Sequence, residues 1–377
     1  MSKTLRFKDD LGQDFPNWQQ LTFTSCFEFL PHKSAQAEVA CKKLKSSVAC
    51  LKCKDILSSS QEVAFISQDD QDNATDTFLS DDTSGLNNGD IVFASFVPLN
   101  HRAKAVEVKL LDESCELVAG KNTIACHAKQ EFAPGYLGYY LNSDKYQQQL
   151  NSPDQDFGHG YFIRKKAIAS TVIDKPCLAE QEKIAALLDT VSTKLRNLEN
   201  IAALLKLVAS SIEQKLFSQE LRCSVNSNID WQQKQFLECF EPVVKASDKA
   251  NVQVGDVVFS NYTRDSKLAT VIESQDGQYN KTYYSVFRPK QEFAQGFLAY
   301  YLNSQEFTKQ LSKSYGNSFR VVSSSSIRST MLNIPCLEEQ QQIVAILGTI
   351  TRKIELNNKQ IDLVKNLKQA LMQQLFD

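Results

Sequence analysis

The sequence has no apolar run that approaches the roughly 18 residues needed to cross a membrane. Its first residues do not form the apolar core of a secretory signal. It also has no excess of basic charge, because 42 Lys and Arg residues are balanced by 44 Asp and Glu. These absences predict a protein that stays in the cytoplasm without membrane contact, and composition alone does not identify its partner.

Motifs of common enzymes are missing as well. The sequence contains no Gly-x-x-x-x-Gly-Lys-Ser/Thr phosphate loop, no Gly-x-Gly-x-x-Gly turn after a strand and no Gly-x-Ser-x-Gly elbow. The Asn/Asp-Pro-Pro-Tyr tetrapeptide of adenine methyltransferases is also absent. The 4 histidines all lie in the first half of the chain, so a duplicated catalytic set is not visible. The sequence predicts a protein that is not an enzyme and has no catalytic residues.

The 10 cysteines have mixed spacing, which in an unsecreted chain indicates reduced thiols rather than a disulfide framework. Cys50 and Cys53, with Cys41 upstream, form the one pair with metal-like spacing. A structural zinc site needs a second pair, and none is obvious. We therefore expect no metal, although the sequence leaves open whether Cys50 and Cys53 bind one.

What the chain does have is a long helical pattern in residues 179–222, which contain neither Gly nor Pro. Apolar or small residues recur there in a 4-3 alternation, the pattern of a helix with a narrow apolar seam. Such a helix is about 60 Å long. The residues predicted to form its seam include Ile184, Leu188, Leu195, Leu198, Leu205 and Ile212.

A second such helix is predicted in residues 337–377, because residues 337–343 repeat residues 178–184 at an offset of 159. Its predicted seam includes Ile343, Leu347, Ile354, Asn357 and Ile361. A polar residue in a coiled-coil seam fixes register and partner choice, and Lys368 on the same seam is read as a snorkelling residue or a fraying end. The simplest arrangement is antiparallel pairing within one molecule, and pairing between chains is the alternative.

The repeat extends over nearly the whole chain. Residues 130–150 match residues 291–311 at 13 of 21 positions, where chance would give one or two. The Gly-Asp pair at 89–90 returns at 255–256, and the Trp18 segment returns at Trp231. Because each copy has the same order of motifs, the chain is a duplication of a globular domain followed by a long helix.

Each globular copy shows strand patterns after its Gly-Asp turn, then helical spacing at 134–150 and 296–311, then a final strand. Tyr139 and Tyr140 are read as core residues of such a helix rather than as a base-stacking platform. We predict an α+β fold with two repeated mixed α/β domains, separated by two long antiparallel helices that form a coiled-coil spacer with pseudo-twofold symmetry. The predicted boundaries are 1–178 for the first globular domain, 179–222 for the central helix, 223–336 for the second globular domain and 337–377 for the C-terminal helix.

The duplicated Pro-Cys-Leu-x-Glu-Gln-x-x-Ile entry to a long helix, with Gly-Asp-Ile/Val-Val and a Trp segment before it, resembles the specificity (S) subunit of type I restriction–modification systems. The likeness covers essentially the whole chain. It implies that each domain reads one half of a bipartite asymmetric site in double-stranded DNA. It also implies that the helices set the spacing and bind two methyltransferase (M) subunits.

The resemblance further implies that this chain carries no cofactor of its own. In the assembled complex, methylation would use S-adenosylmethionine, and cleavage by restriction (R) subunits would use ATP with Mg²⁺. Neither the recognised bases nor the presence of restriction subunits follows from the sequence.

Polar loops beside the strands shared by both copies are the predicted DNA-binding segments, because Arg, Lys, Asn, Ser, His and Tyr bond phosphates and base edges. In the first domain the candidates are Asn100, His101, Arg102, Lys104, His159, Tyr161, Arg164 and Lys165. In the second domain they are Asn261, Tyr262, Arg264, Lys267, Tyr315, Asn317, Ser318 and Arg320. Trp18 and Trp231 are expected to be core residues. The alternative function is a coiled-coil scaffold whose two lobes bind protein instead of DNA.

Overall fold

The computed structural model describes residues 5–31, 49–58, 63–66, 85–99, 101–110, 117–150, 159–223, 229–243, 249–263, 267–273, 278–280, 283–311 and 320–376. Its contacts divide the chain into two units. The first consists of Met1–Asn197 with Ile361–Asp377, and the second is Leu198–Gln360. Each unit therefore contains one globular domain and a stretch of each long helix.

The two predicted long helices are present, and each has 40 residues. The central helix is Leu178–Phe217 and the C-terminal helix is Leu337–Phe376. In the second unit, Phe217 shares a core with Ile343, so the end of the central helix lies beside the start of the C-terminal helix. In the first unit, Ile184 near the start of the central helix shares a core with Leu375. Antiparallel pairing within one molecule is thus confirmed in each unit.

The central helix ends at Phe217, five residues before the predicted end at Arg222. Gln219 adopts a left-handed conformation with φ of 65°, and the Leu221 N–H donates to Lys215 O at 2.9 Å. A left-handed residue just past a helix, with backbone bonds from the following turn to the last carbonyls of the helix, is a common closure of a helix C-terminus. The turn leaves Arg222 outside the helix, where it has another role described below.

The first domain alternates short strands and short helices. Its elements are β1 (Gln19–Thr22), α1 (Phe23–Cys26), β2 (Phe27–Phe29), β3 (Ala49–Leu51), α2 (Cys53–Ser58), β4 (Val63–Ile66), β5 (Ile91–Ala94), β6 (Phe96–Pro98), β7 (Ala105–Leu110), β8 (Leu117–Ala119), β9 (Thr123–Ala128), α3 (Tyr136–Tyr140), α4 (Asp144–Leu150), β10 (Gly160–Phe162), α5 (Lys165–Ala169) and β11 (Val172–Lys175), followed by the central helix as α6.

The second domain repeats this order, with fewer elements among its described residues. They are β12 (Gln232–Gln235), α7 (Phe236–Cys239), β13 (Phe240–Pro242), β14 (Lys249–Asn251), β15 (Val257–Ser260), β16 (Tyr262–Thr263), β17 (Ala269–Val271), β18 (Gln278–Asn280), β19 (Tyr284–Pro289), α8 (Phe297–Tyr301), α9 (Gln305–Gln310), β20 (Arg320–Val321), α10 (Ser324–Arg328) and β21 (Met331–Ile334), followed by the C-terminal helix as α11.

Each domain is built on one main sheet with the strand after the Gly-Asp turn near its centre. The strand order is β2-β9-β5-β7-β4 in the first domain and β13-β19-β15-β17 in the second. The additional strand β4 pairs with β7 in parallel, and it comes from the longer segment between Trp18 and the Gly-Asp turn. The length difference between the two copies therefore adds an edge strand and leaves the shared strands in place.

The segment with helical spacing at 134–150 forms two short helices, α3 and α4, instead of one. The Asn142 amide interrupts it, because its nitrogen donates to Ala105 O at 2.6 Å and to Gly138 O at 2.7 Å. The Ser143 hydroxyl then accepts from Tyr146 N at 3.3 Å and so caps the next helix. Asn303 and Ser304 do the same in the second domain.

Tyr139 and Tyr140 are core residues, as the helical pattern predicted. Tyr140 is fully buried and contacts the Phe376 ring at the end of the C-terminal helix. Burial raises the pKa of the Tyr140 hydroxyl, which bonds to Asp174 on the final strand. A base-stacking role for this pair is excluded by its burial. In the second domain, Tyr301 contacts Phe217 at the end of the central helix in the same way.

Candidate nucleic-acid interface

The structure brings the two predicted DNA-binding segments of the first domain together. Strand β6 pairs antiparallel with β10, with Pro98 opposite Gly160 and Val97 opposite Tyr161. A side chain at position 160 would not fit, because a Cβ there would lie 2.5 Å from Val97 O. We call residues 96–98 and 160–162 the first ribbon. It places the end of β6, which precedes His101, beside the start of β10, which follows His159.

Most described candidates around the first ribbon face solvent. His101, Arg102, His159, Arg164 and Lys165 are exposed, while Lys104 and Tyr161 are half-buried. Burial raises the pKa of Tyr161, so its hydroxyl remains protonated at neutral pH. Asn100 lies outside the described residues.

Two of the cations around the first ribbon already have protein partners. The Arg102 guanidinium is paired with the Asp144 carboxylate, and the Lys165 ammonium lies 5.6 Å from the centre of the Phe29 ring. These contacts hold the side chains in place and leave part of each charged group at the surface. They do not prevent contact with phosphate, since both residues are exposed.

The second domain has an equivalent second ribbon, formed by residues 262–263 and 320–321. Tyr262 pairs with Val321, and Thr263 pairs with Arg320. Asn261 precedes the ribbon and is half-buried, and its side-chain oxygen accepts from the Ser285 hydroxyl at 2.8 Å. Lys267 is exposed. For Tyr262 and Arg320 the structure describes the backbone, and Arg264, Tyr315, Asn317 and Ser318 lie outside the described residues.

The predicted seam residues face inward along both long helices. Three of them are half-buried, namely Leu205, Ile212 and Ile354. The other eight are buried, namely Ile184, Leu188, Leu195, Leu198, Ile343, Leu347, Asn357 and Ile361. Within the second unit the Asn357 amide donates to Leu198 O at 2.9 Å. The reading of Lys368 as a fraying end is wrong, because it is buried, its ammonium lies 5.6 Å from the centre of the Tyr139 ring, and the helix continues to Phe376.

A buried carboxylate joins each domain to its following helix. The Glu180 Oε1 accepts from Arg6 Nε at 3.1 Å, and its Oε2 accepts from Arg6 Nη2 at 2.8 Å and from Trp18 Nε1 at 3.0 Å. We call Arg6, Trp18 and Glu180 the first clamp. The side chain of Glu180 is 1% exposed, so these donors take the place of water around its charge.

The second clamp consists of Arg222, Trp231 and Glu339 and repeats the same bonds. Glu339 accepts from Arg222 Nε at 2.8 Å, from Arg222 Nη2 at 3.0 Å and from Trp231 Nε1 at 3.0 Å. In both clamps the hydrogen bond to the buried carboxylate raises the pKa of the arginine, which therefore stays charged. Both clamps were missed at the level of sequence, although the repeated Leu-Arg before each Trp segment was visible and could have indicated them.

The glutamine after each clamp glutamate holds a different part of the same domain. Gln181 Oε1 accepts from Ala133 N at 2.9 Å, and its amide nitrogen donates to Pro176 O at 2.7 Å. Gln340 makes the corresponding bonds to Ala294 and Pro335. The repeated Pro-Cys-Leu-x-Glu-Gln motif therefore attaches each domain to a helix, and its glutamate and glutamine are not placed to read bases.

The repeated Gly-Asp pair also has a structural role. The buried Asp90 accepts from Asn87 N at 2.8 Å and lies 2.6 Å from His127 Nδ1. Asp256 closes the equivalent turn and is paired with Arg288 at 2.8 Å. A cavity of about 500 Å³ beside Asp90 is also lined by Glu107, whose pKa is raised by burial. A cavity with buried carboxylates does not favour phosphate.

Among the described ranges, no group of three or more His, Cys, Asp or Glu residues is placed to hold a metal ion. Cys53 donates its thiol to Phe96 O at 3.3 Å, while Cys41 and the side chain of Cys50 lie outside the described part. Burial raises the pKa of Cys26, Cys126 and Cys239, which keeps these thiols protonated. In the part of the chain that is described, no helix has both the length and the apolar character of a membrane span.

These observations define a class: duplicated α/β domains, each attached by a clamp to a long helix and each with a two-stranded ribbon beside its predicted DNA-binding segments. Residues 225–366 match the family model of the type I restriction modification DNA specificity domain. The resemblance predicted from the sequence is thereby confirmed for these residues, which match the DNA specificity domain of type I restriction–modification systems.

Solved structures of low sequence identity share the fold. One is the crystal structure of the S subunit of a type I restriction–modification system from M. genitalium, with a TM-score of 0.56 and 13% identity over 100% of this chain and 99% of that one. Another, from work on the assembly and conformational transition of the type I R-M system, has a TM-score of 0.56 and 16% identity over 96% of this chain and 98% of the other. The likeness in fold therefore extends over nearly the whole of each chain.

Proposed function

We propose that this chain recognises a bipartite asymmetric site in double-stranded DNA, with each domain reading one half through its ribbon. The observation that supports this is the convergence, in both domains, of two polar segments on a two-stranded ribbon. Five of the described candidates around the first ribbon are exposed, and three of these, Arg102, Arg164 and Lys165, are cations, as a phosphate-binding surface requires. The residues differ between the two ribbons, which fits two different half-sites.

The domains are proposed to be 1–178 and 223–336, and the two long helices to set the distance between half-sites and bind methyltransferase subunits. An apolar stripe on the central helix supports subunit binding. Ile201, Leu204 and Val208 are 45%, 61% and 47% exposed and recur every three to four residues, on one face beside the seam. Exposed apolar residues at this spacing are typical of a surface covered by another protein.

In this proposal the chain supplies recognition and the partner subunits supply chemistry. The methyltransferase subunits would bind S-adenosylmethionine, and restriction subunits, where present, would use ATP with Mg²⁺. The chain's own contribution is to place the DNA on the complex through its ribbons and helices.

Domain exchange tests the proposal directly. Residues 17–176 would be replaced by the equivalent segment of a related chain, and modified adenines would be mapped in DNA treated with the reconstituted complex. We expect the recognised sequence to change in one half-site and to stay the same in the other. A change in both halves, or in neither, would contradict separate reading by the two domains.

The alternative, a scaffold whose lobes bind protein, makes a different prediction about salt. Phosphate contacts release counterions, so DNA affinity should fall steeply as the salt concentration rises. A mobility-shift titration of the reconstituted complex between low and moderate salt measures this slope. DNA binding that does not respond to salt would favour the protein-binding alternative.

A further inference from the structure

Each clamp connects chain segments that are far apart in sequence. Glu180 bonds to Arg6 across 174 residues and to Trp18 across 162 residues. Glu339 bonds to Arg222 across 117 residues and to Trp231 across 108 residues. The segment that enters each domain is thus bonded directly to the helix that leaves it. The sequences of the domain interiors differ, yet the same atoms are paired in both clamps.

The bonds of the clamp are directional. A guanidinium that donates two bonds to one carboxylate fixes the plane of both groups. Arg6 also donates to Pro16 O at 2.9 Å, and Arg222 donates to Ile229 O at 2.6 Å. A purely apolar contact would allow a domain to rotate slightly on its helix, whereas rotation here would break charge-assisted bonds to a buried carboxylate.

A second attachment lies one residue along the helix. Gln181 bonds to Ala133, which precedes α3, while Glu180 bonds to the segment before β1. Two adjacent helix residues therefore hold two separate parts of the domain. With two directional attachments, the domain has one orientation relative to the helix axis.

We propose that Glu180 and Glu339 are positioning residues, which fix the angle between each recognition domain and its helix and thereby the spacer length that the protein accepts between half-sites. This inference rests on the proposed function, because it requires two ribbons to contact one duplex. Neither glutamate touches DNA. Each acts through the arginine and tryptophan that it holds.

The test compares duplexes that carry the same half-sites with the natural spacer or with one base pair more or less. Affinity is measured for the reconstituted complex containing wild-type chain, E180Q or E339Q. Glutamine keeps the shape of the side chain and removes the negative charge that accepts two hydrogen bonds from the arginine. The milder variants R6K and R222K keep the positive charge but cannot donate two parallel hydrogen bonds to the carboxylate. They test the positioning role if a glutamine variant does not fold.

The matched control is K183Q, one turn further along the central helix. Lys183 also joins the helix to the N-terminal segment, through an ion pair of 2.7 Å with Asp10 and a bond of 2.8 Å to Lys8 O. The side chain of Asp10 is 95% exposed, and both bonds are exposed. An exposed pair of this kind contributes little to stability or orientation. K183Q should bind with wild-type affinity and wild-type spacer preference.

We expect each clamp variant to lose about tenfold in the preference for the natural spacer over the altered ones, while melting temperature shows that the chain remains folded. Tenfold corresponds to about 1.4 kcal/mol. A folded variant with unchanged spacer preference, or one that loses affinity equally for all spacers, would overturn the positioning role. If the wild-type complex itself shows no spacer preference, the proposed function fails, and this is seen before any variant is compared.

Discussion

At the scale of single residues, the side chains that attach the domains to the helices are the same in both copies of the repeat. The side chains predicted to bind DNA differ between the copies. Trp18 and Trp231 were predicted as core residues, and both pack against a domain core. Their hydrogen bonds to Glu180 and Glu339 were not predicted, because a sequence does not show which polar residues meet across more than a hundred positions. Candidate base-reading residues were predicted from loop position, and their contacts stay predictions.

The buried Glu107 predicts how the stability of the fold depends on pH. Its carboxylate accepts from Gly135 N at 2.6 Å and from Gly138 N at 2.9 Å, and desolvation raises its pKa above the usual value. Because the folded state holds this proton more tightly than the unfolded state, the contribution of Glu107 to stability is greatest at low pH. It is lost as the pH rises from the unfolded pKa through the folded one.

Lowering the pH from 7 towards 4.5 should therefore stabilise the wild-type chain relative to E107Q by about 1 kcal/mol. Urea unfolding of both proteins at several pH values measures the difference. The exposed Glu131, which lines the same cavity, provides the control variant E131Q. If the free energies of unfolding of E107Q and E131Q depend on pH in the same way, burial does not raise the pKa of Glu107.

At the scale of elements, the long helices were predictable because a 4-3 seam repeated over many turns has few alternatives. Their ends were less predictable, since the stop at Phe217 depends on a left-handed Gln219 and not on a Gly or Pro. The break at Asn142 was missed for a similar reason. Leu141, Asn142 and Ser143 fit a helical pattern, and only the strand beside them, which bonds to the Asn142 amide, makes the interruption favourable.

The apolar stripe of the central helix should be needed for binding the methyltransferase. We expect L204E to reduce co-purification of the methyltransferase subunit at least tenfold, because a charge would be buried in the contact. Leu204 is 61% exposed in the chain alone, so the substitution should leave the fold intact. Pull-down with tagged chain, alongside circular dichroism, measures both effects.

The control for L204E is K206E. Lys206 is also exposed but lies on the opposite flank of the seam, since each residue turns the helix by about 100°. Loss of the partner in both variants would mean that the effect comes from added negative charge and not from the stripe.

At the scale of the whole molecule, the duplication predicted two domains and two helices, and the structure contains them. The strand β4 and the helix α2 of the first domain have no equivalent among the described elements of the second. They were not predicted because they belong to a segment that the repeat does not cover. A duplication in the sequence predicts the elements that both copies share. It does not predict elements that are found in one copy only.

Insertion of seven residues into both long helices tests the proposed spacing role. Insertions after Asn197 and after Gln360 fall where both helices pass from one unit to the other. One heptad adds about 10 Å while keeping the seam in phase. This corresponds to about three base pairs. We expect the modified sites to acquire a longer spacer or modification to be lost, as read by mapping methylated adenines.

A chain with the insertion in one helix alone is the companion variant. Its seam residues no longer face each other along the whole pair, so it should fold poorly, with a lowered melting temperature. Full modification at the original spacing by the doubly extended chain would count against the helices as the element that sets the distance.

The clamps have a consequence for how such chains can acquire new specificities. In each case the carboxylate belongs to the helix, and its arginine and tryptophan lie at the entrance of the domain, outside the ribbon. Recombination between the tryptophan and the glutamate of one clamp can replace the ribbon and leave the clamp residues unchanged. If each domain reads one half-site as proposed, exchange of a single domain would change one half of the recognised sequence and leave both long helices unaltered.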